Sequence, residues 1–300
     1  MPARTPLPSE LLLGPFTVGQ ARELSVSRGR LRNRELESPT RGVRLAAAGD
    51  RDPVVHALAF ASVLPGDVAF SHLTAARLHG LPTPKPWPGT DELLDVMRVR
   101  HRPPVTRAGC RRHRGLESRD ITLAHGLRVT SATDTWCDLA GLWSEAHLLA
   151  VADDLLRRGI VTQDVLLAAA GARAGRRHAG VLMPLARLAR PGAASPAESL
   201  ARWWFWTWAL PEPELNVAVH DNLGQWLATV DFRWRAQRVV GEYDGDVHRT
   251  DRRDWQRNKQ RRASLEDAGW AYVDMTALSF SDDHHRQQLR TRLRRLLGTD

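Results

Sequence analysis

Cysteine and lysine are nearly absent from these 300 residues: Cys110 and Cys137 are the two thiols, and Lys85 and Lys259 are the two lysines among 43 basic side chains. Two thiols cannot build a disulfide framework. No basic segment followed by an apolar run and a small-residue cleavage site opens the chain, so a reducing cytoplasm is the expected compartment. Long apolar runs are missing as well. The nearest, from His56 to Leu64, falls far short of the ~20 residues that cross a bilayer, so a soluble protein with no membrane partner is expected. With 42% hydrophobic residues and 22 glycines, the composition excludes disordered, collagenous and fibrous classes. At ~150 residues per domain, the length gives about two domains with room for a small third.

Acidic residues are scarce in one region only. The net charge is +9, and residues 191–300 carry sixteen side chains of each sign, so the excess belongs to residues 1–190, where 27 basic groups face 18 acidic ones. Arg98, Arg100, Arg102, Arg107, Arg111, Arg112 and Arg114 fall in a stretch without an acid. A GC-rich codon bias accounts for arginine over lysine but not for this clustering, which reads as a stripe for phosphates, with Arg111, Arg112 and Arg114 as candidate backbone contacts on DNA.

Thr17 is placed to cap a short helix carrying Val18, Ala21 and Leu24, and Ser27 a second carrying Leu31 and Leu36, because each hydroxyl accepts an orphan backbone N–H. Two helices with a tight junction predict a helix-turn-helix over residues 1–50, with Arg41-Gly-Val-Arg-Leu45 as a wing strand. Arg28, Arg30 and Arg32 on the second helix are the candidate readers of a major groove. Arginines two apart spread around a helix, so they equally fit a solvated one.

Residues 51–190 predict a mixed α/β module, with a helix from Ala146 to Arg158 and strands around Leu93 to Arg100 and Gly126 to Ser131. Ser71, His72, Thr74 and His79 lie close together, but the apolar spacing of Leu73, Ala76 and Leu78 points to capping and packing rather than to a nucleophile. Cys110-Arg-Arg-His113 has zinc-like spacing with half a ligand set. Stretches rich in Gly, Ala and Pro at 171–178 and 190–196 put the last boundary near residue 190.

Residues 191–300 carry the sharpest chemical signal. Ser195-Pro-Ala-Glu198 opens a predicted helix through Trp208, and three strands follow: Leu215 to His220, Trp226 to Trp234 and Gln237 to Tyr243. A turn centred between Ala236 and Gln237 sets Asp231 opposite Glu242, with carboxylates as cross-strand neighbours and Asp244 on the same face. Like charges so close call for a proton or a cation, and Mg²⁺ (or Mn²⁺) on Asp231 and Glu242 is the economical solution. Glu198 also completes a Ser-x-x-Glu capping box. Trp203, Trp204, Trp206 and Trp208 crowd one helix, and packing accounts for them better than base stacking.

The ordered set Ser195-Pro-Ala-Glu198, Leu210-Pro-Glu-Pro213, Asn216, Val230-Asp-Phe232, Glu242-Tyr-Asp-Gly-Asp-Val-His-Arg249 and Trp255 through Trp270 resembles the very-short-patch-repair-like endonuclease domain, within the PD-(D/E)XK superfold. The resemblance covers about residues 193–297. It implies a restriction-endonuclease-like α/β/α domain over 191–300 that hydrolyses DNA phosphodiesters, with Asp231 and Glu242 as metal ligands, Glu198 as an accessory acid, and Asp244 and His248 as site residues. Asp244 stands where the superfold has the lysine of Glu-x-Lys, and Lys259, Arg257 or Arg261 is left to supply that cation. The zinc-binding cysteines of mismatch-repair members are missing, so no structural zinc is expected.

Residues 1–190 more loosely resemble the AbiEi-type antitoxin architecture, through Phe16-Thr17, Val26-Ser27, Arg41-Gly-Val-Arg44, Ser71-His72-Leu-Thr-Ala-Ala76, His79-Gly-Leu-Pro82, Arg128-Val-Thr-Ser131 and Thr135-Trp-Cys-Asp-Leu-Ala140. That resemblance implies a winged helix-turn-helix followed by a mixed α/β module, acting as a repressor or sensor with a toxin protein as partner. The rival to a nuclease is then a non-catalytic antitoxin-like regulator that keeps an inactive nuclease fold.

Overall fold

A computed structural model of the chain describes residues 6–46, 52–84, 93–244 and 252–299, with backbone alone over 252–258. It is a mixed α/β protein with several sheets, divided into two units, Met1–Leu139 and Ala140–Asp300. The Gly- and Pro-rich stretch near residue 190 lies inside the second unit. Among the described residues no helix is long and apolar enough to cross a membrane.

The first unit opens with strand β1 (Phe16–Thr17), helix α1 (Val18–Glu23) and strands β2 (Leu36–Glu37) and β3 (Val43–Ala46), which pair in the order β1-β3-β2. Thr17 caps α1 as expected, in a full capping box with Gln20. The second helix expected from Ser27 does not form. Ser27 Oγ accepts the Arg30 N–H at 3.2 Å, but one 3₁₀ turn, Arg30–Arg32, is all that follows before Asn33 turns extended. Gly29 sits in what would be the first helical turn, where glycine costs about 1 kcal/mol. Leu36, assigned to that helix, is instead a strand residue paired with Ala46 and packed with Leu31 and Phe16. The wing-like segment does contain a strand, β3.

The rest of this unit is α2 (Pro53–Ala61), β4 (Ala69–Phe70), α3 (His72–Leu78), β5 (Leu94–Arg98), β6 (Cys110–Arg114), β7 (Ile121–Ala124), β8 (Leu127–Thr130) and α4 (Ala132–Asp138). Its five strands run in the order β6-β5-β4-β8-β7, so the arginine-bearing β6 is an edge strand. Phe60, Phe70, Leu78, Val96 and Val129 form the core.

The second unit begins with α5 (Glu145–Arg157), α6 (Gln163–Ala172) and α7 (Leu182–Leu188), followed by α8 (Pro196–Thr207), β9 (Glu214–His220), β10 (Trp226–Trp234), β11 (Val239–Asp244), α9 (Arg252–Asp267), β12 (Ala271–Thr276), α10 (Leu278–Ser281) and α11 (Asp283–Leu297). The sheet order is β12-β11-β10-β9, antiparallel except that β11 and β12 are parallel and joined through α9. Helices cover both faces. Phe205, Phe232, Trp234, Met275 and Leu293 pack on the α8 and α11 side; Val219, Val230, Val240, Leu265 and Trp270 pack on the α9 side. The α5 and α8 helices are tied by a buried ion pair, Asp153 to Arg202 at 2.6 Å, with Ser199 Oγ donating to the same carboxylate at 2.7 Å. Removing one member of such a pair strands a buried charge.

Trp204 and Trp208 pack into this core, Arg286 lies over the Trp204 ring at 4.6 Å, and Trp206 is the exposed member of the tryptophan run.

Candidate functional site

The site is built where two strands turn over. Residues two apart on a regular strand share a face, yet Val230 packs on the α9 side and Phe232 on the α8 side, and on β9 Val217 and Leu215 divide in the same way. The chain therefore flips between the rungs Val230–Val217 and Phe232–Leu215, at Asp231 and Asn216. Asn216 takes φ +50°, the left-handed region that asparagine tolerates better than most residues. Its side-chain amide then donates to Glu198 Oε2 at 2.6 Å and to the Gly192 carbonyl at 3.0 Å.

Glu198 is 5% exposed, although carboxylates are seldom buried unless fully partnered. Its carboxylate accepts the Ala194 N–H at 2.9 Å, the Ser195 hydroxyl at 2.8 Å and the Asn216 amide, while Ser195 Oγ accepts the Glu198 N–H. The capping box and the burial of an acid beside the sheet are thus one arrangement.

The β10–β11 register pairs Phe232 with Gly241 and Trp234 with Val239, which places Asp231 opposite Glu242 one step beyond the last rung, as the turn arithmetic predicts. Tyr243 donates its backbone N–H to Asp231 Oδ2 at 2.7 Å. The Asp231 carboxyl is pushed up to about 6; burial is the main cause, the Tyr243 N–H opposes it, and the Glu198 and Glu242 carboxylates add to it. Glu242 is 8% exposed. Its Oε2 accepts from Arg261 of α9 and from the Tyr272 hydroxyl of β12 at 2.7 Å, while its Oε1 is buried without a hydrogen-bond partner. Burial and the bond to Glu242 hold the Tyr272 hydroxyl well above the ordinary tyrosine range.

Among the described residues no group of three or more His, Cys, Asp or Glu forms a metal-binding cluster. A two-carboxylate site is a different case, because Mg²⁺ takes one or two carboxylates and keeps several waters. Asp231 and Glu242 fit that preference. The partnerless Glu242 Oε1 and the Asp231 carboxyl, raised chiefly by burial and further by its acidic neighbours, are oxygens that a divalent cation could use.

Asp244, half-buried, ends β11 two residues beyond Glu242, and Lys259 is exposed on α9. Of the three cations open in the sequence, Arg261 reaches Glu242, and the side chain of Arg257 lies outside the described residues. His248 lies outside the described residues. The contribution of Tyr272 is missed in the sequence; its signal is the alternating run Ala271-Tyr-Val-Asp-Met275 next to the parallel strand.

The arginines divide. Arg28 and Arg32 are exposed around the 3₁₀ turn, but Arg30 pairs with Glu35 at 3.2 Å. Arg112 and Arg114 are exposed on edge strand β6, whereas Arg111 reaches the buried Asp95 at 3.4 Å. Asp95 also holds His113 Nε2 at 2.8 Å, and the His113 ring stacks on His72 with centroids 3.6 Å apart.

No family model matches the chain. Two proteins of Mycobacterium tuberculosis are similar to it: uncharacterized protein Rv2248 of strain H37Rv and uncharacterized protein MT2308 of strain CDC 1551. Each is 29% identical over 214 residues, 71% of this chain and 74% of the relative. A match of that length exceeds either unit alone, so the likeness reaches both.

Proposed function

We propose that the chain is a cytoplasmic DNA-binding protein whose second unit hydrolyses phosphodiester bonds with Mg²⁺ or Mn²⁺. The carrying observation is the convergence of Glu198, Asp231 and Glu242 at the turned-over strands, with Asp231 at about 6 and Glu242 Oε1 unpartnered. Asp231 and Glu242 would hold the ion, which would supply an activated water and offset charge on the scissile phosphate. Glu198 is held by three donors and fixes the wall of the site, and Tyr272 and Arg261 orient Glu242. The resemblance to very-short-patch-repair-like endonucleases supports the same reading for residues 191–300, and the AbiEi-like pattern supports a DNA-facing role for residues 1–190 with a toxin protein as partner, without the second helix that a helix-turn-helix needs.

One observation favours a second reading, a non-catalytic antitoxin-like regulator. Arg261 already occupies Glu242, and Asp244 stands in place of the superfold's lysine. Incubating the full chain with single- and double-stranded DNA and Mg²⁺ or Mn²⁺ separates the two. Cleavage that disappears in Asp231→Ala and Glu242→Ala supports the nuclease; equal cleavage by all three proteins, or none by wild type, removes it.

A further inference from the structure

We propose that the first unit carries a groove for the phosphate of a nucleotide, a site separate from the acidic centre and independent of the nuclease reading. The groove, about 790 Å³, opens between the turn before β3, the end of α2 and the loop from β5 to β6. Its floor is apolar, with Val63, Leu64 and Val105, and its charged lining is Arg41, Arg98 and Arg107. That volume is within the range of small-molecule sites, roughly 300–1,000 Å³.

The state of the three guanidiniums gives the site its ligand class. Arg98 is neutralised: its Nε meets Asp67 at 2.8 Å, and Arg102 lies 4.0 Å from the same carboxylate. Arg107 is held but not neutralised. Its Nη1 donates to the Thr40 hydroxyl at 3.0 Å and to the Arg41 carbonyl at 2.9 Å, both uncharged acceptors. Arg41 pairs with no acid among the described residues and is exposed at the rim. Among the described residues one acid, Asp67, therefore pairs with one of the three lining guanidiniums, and the partly buried, pre-positioned fork of Arg107 is left with positive charge to spare. Guanidinium forks match the paired oxygens of a phosphate. A nucleotide supplies both a phosphate for Arg41 and Arg107 and a flat body for the floor. A free nucleotide 5′-monophosphate and the 5′-phosphorylated end of a strand share that chemistry.

Calorimetry on the full chain with AMP and with adenosine tests the first source. Fluorescence anisotropy with a short single-stranded oligonucleotide carrying either a 5′-phosphate or a 5′-hydroxyl tests the second. The expected result is a preference of about tenfold or more for the phosphorylated member of one pair, and the pair that shows it identifies the source. Arg41→Gln abolishes that preference without lowering the melting temperature, because its side chain ties nothing in place. Arg107→Gln abolishes it with a lower melting temperature, because Arg107 anchors Thr40. Equal binding with and without phosphate in both pairs, or a preference untouched by Arg41→Gln, overturns the proposal while leaving the nuclease reading standing.

Discussion

Asn216 donates its side-chain amide to Glu198 from a backbone at φ +50°, so the residue that turns β9 over also fixes the buried acid of α8. Two roles in one residue are separable by mutation. Asn216→Gly keeps the backbone and removes the amide, leaving Glu198 one donor short at a cost of about 1–3 kcal/mol. Asn216→Ala removes the same amide and adds about 1 kcal/mol for a left-handed alanine. Urea unfolding is expected to rank wild type above Gly and Gly above Ala; alanine equal to glycine would mean that the turned-over backbone contributes nothing.

Much of this site was legible because its determinants are local. The Ser195 cap, the Asp221 to Gly224 turn and the centre of the 235–237 turn are short-range signals, and the last of them fixes the register that faces Asp231 with Glu242. The turning over of the strands at Asn216 was not legible, because apolar residues two apart look identical whether they share a face or divide between two cores. Tyr272 and Arg261 reach Glu242 only through the α9 crossover, whose geometry no local pattern encodes. In the first unit Ser27 offers a good cap, but Gly29 and the pairing of Leu36 with Ala46 outweigh it and no helix follows.

On the proposed reading, a divalent cation at Glu242 competes with Arg261 for the same carboxylate. Arg261→Gln leaves Glu242 without its guanidinium and is expected to deepen the need for a cation. Thermal melts with and without Mg²⁺ read this directly: the metal raises the melting temperature more in Arg261→Gln than in wild type, and Glu242→Gln abolishes the rise in both backgrounds. An identical rise in wild type and Arg261→Gln would show that the arginine does not occupy the ion's place.

His72 gives the first unit a pH dependence. Its imidazole is lowered from 6.5 to about 4, chiefly by burial and next by the stacked His113, against the opposing pull of Asp138 and Asp95. The folded state therefore holds a neutral ring while the unfolded chain takes up a proton below 6.5. This contribution is intact above that pH and is lost as the pH falls toward 4, on the order of 2 kcal/mol allowing for partial exposure. His72→Asn, which suits the left-handed backbone there at φ +46°, is expected to flatten the denaturation midpoint across this window. Equal slopes for wild type and variant would rule His72 out as the source.

The sequence offers Arg111, Arg112 and Arg114 together as phosphate contacts, and strand β6 divides them. Arg112 and Arg114 share the exposed side of an edge strand, whereas Arg111 is turned to Asp95, which is 1% exposed and also holds His113. A phosphate contact and a structural contact have different salt signatures. Each guanidinium that neutralises a phosphate contributes about −0.9 to the slope of log K against log salt, and a guanidinium committed to a buried carboxylate contributes nothing. In fluorescence anisotropy with duplex DNA across a salt series, Arg112→Ala and Arg114→Ala are therefore each expected to flatten the slope by about 0.9 with the melting temperature unchanged. Arg111→Ala is expected to leave the slope alone and lower the melting temperature, because the buried Asp95 carboxyl loses one of its partners. A flattening by Arg111→Ala equal to the other two would mean that Arg111 leaves Asp95 to meet DNA.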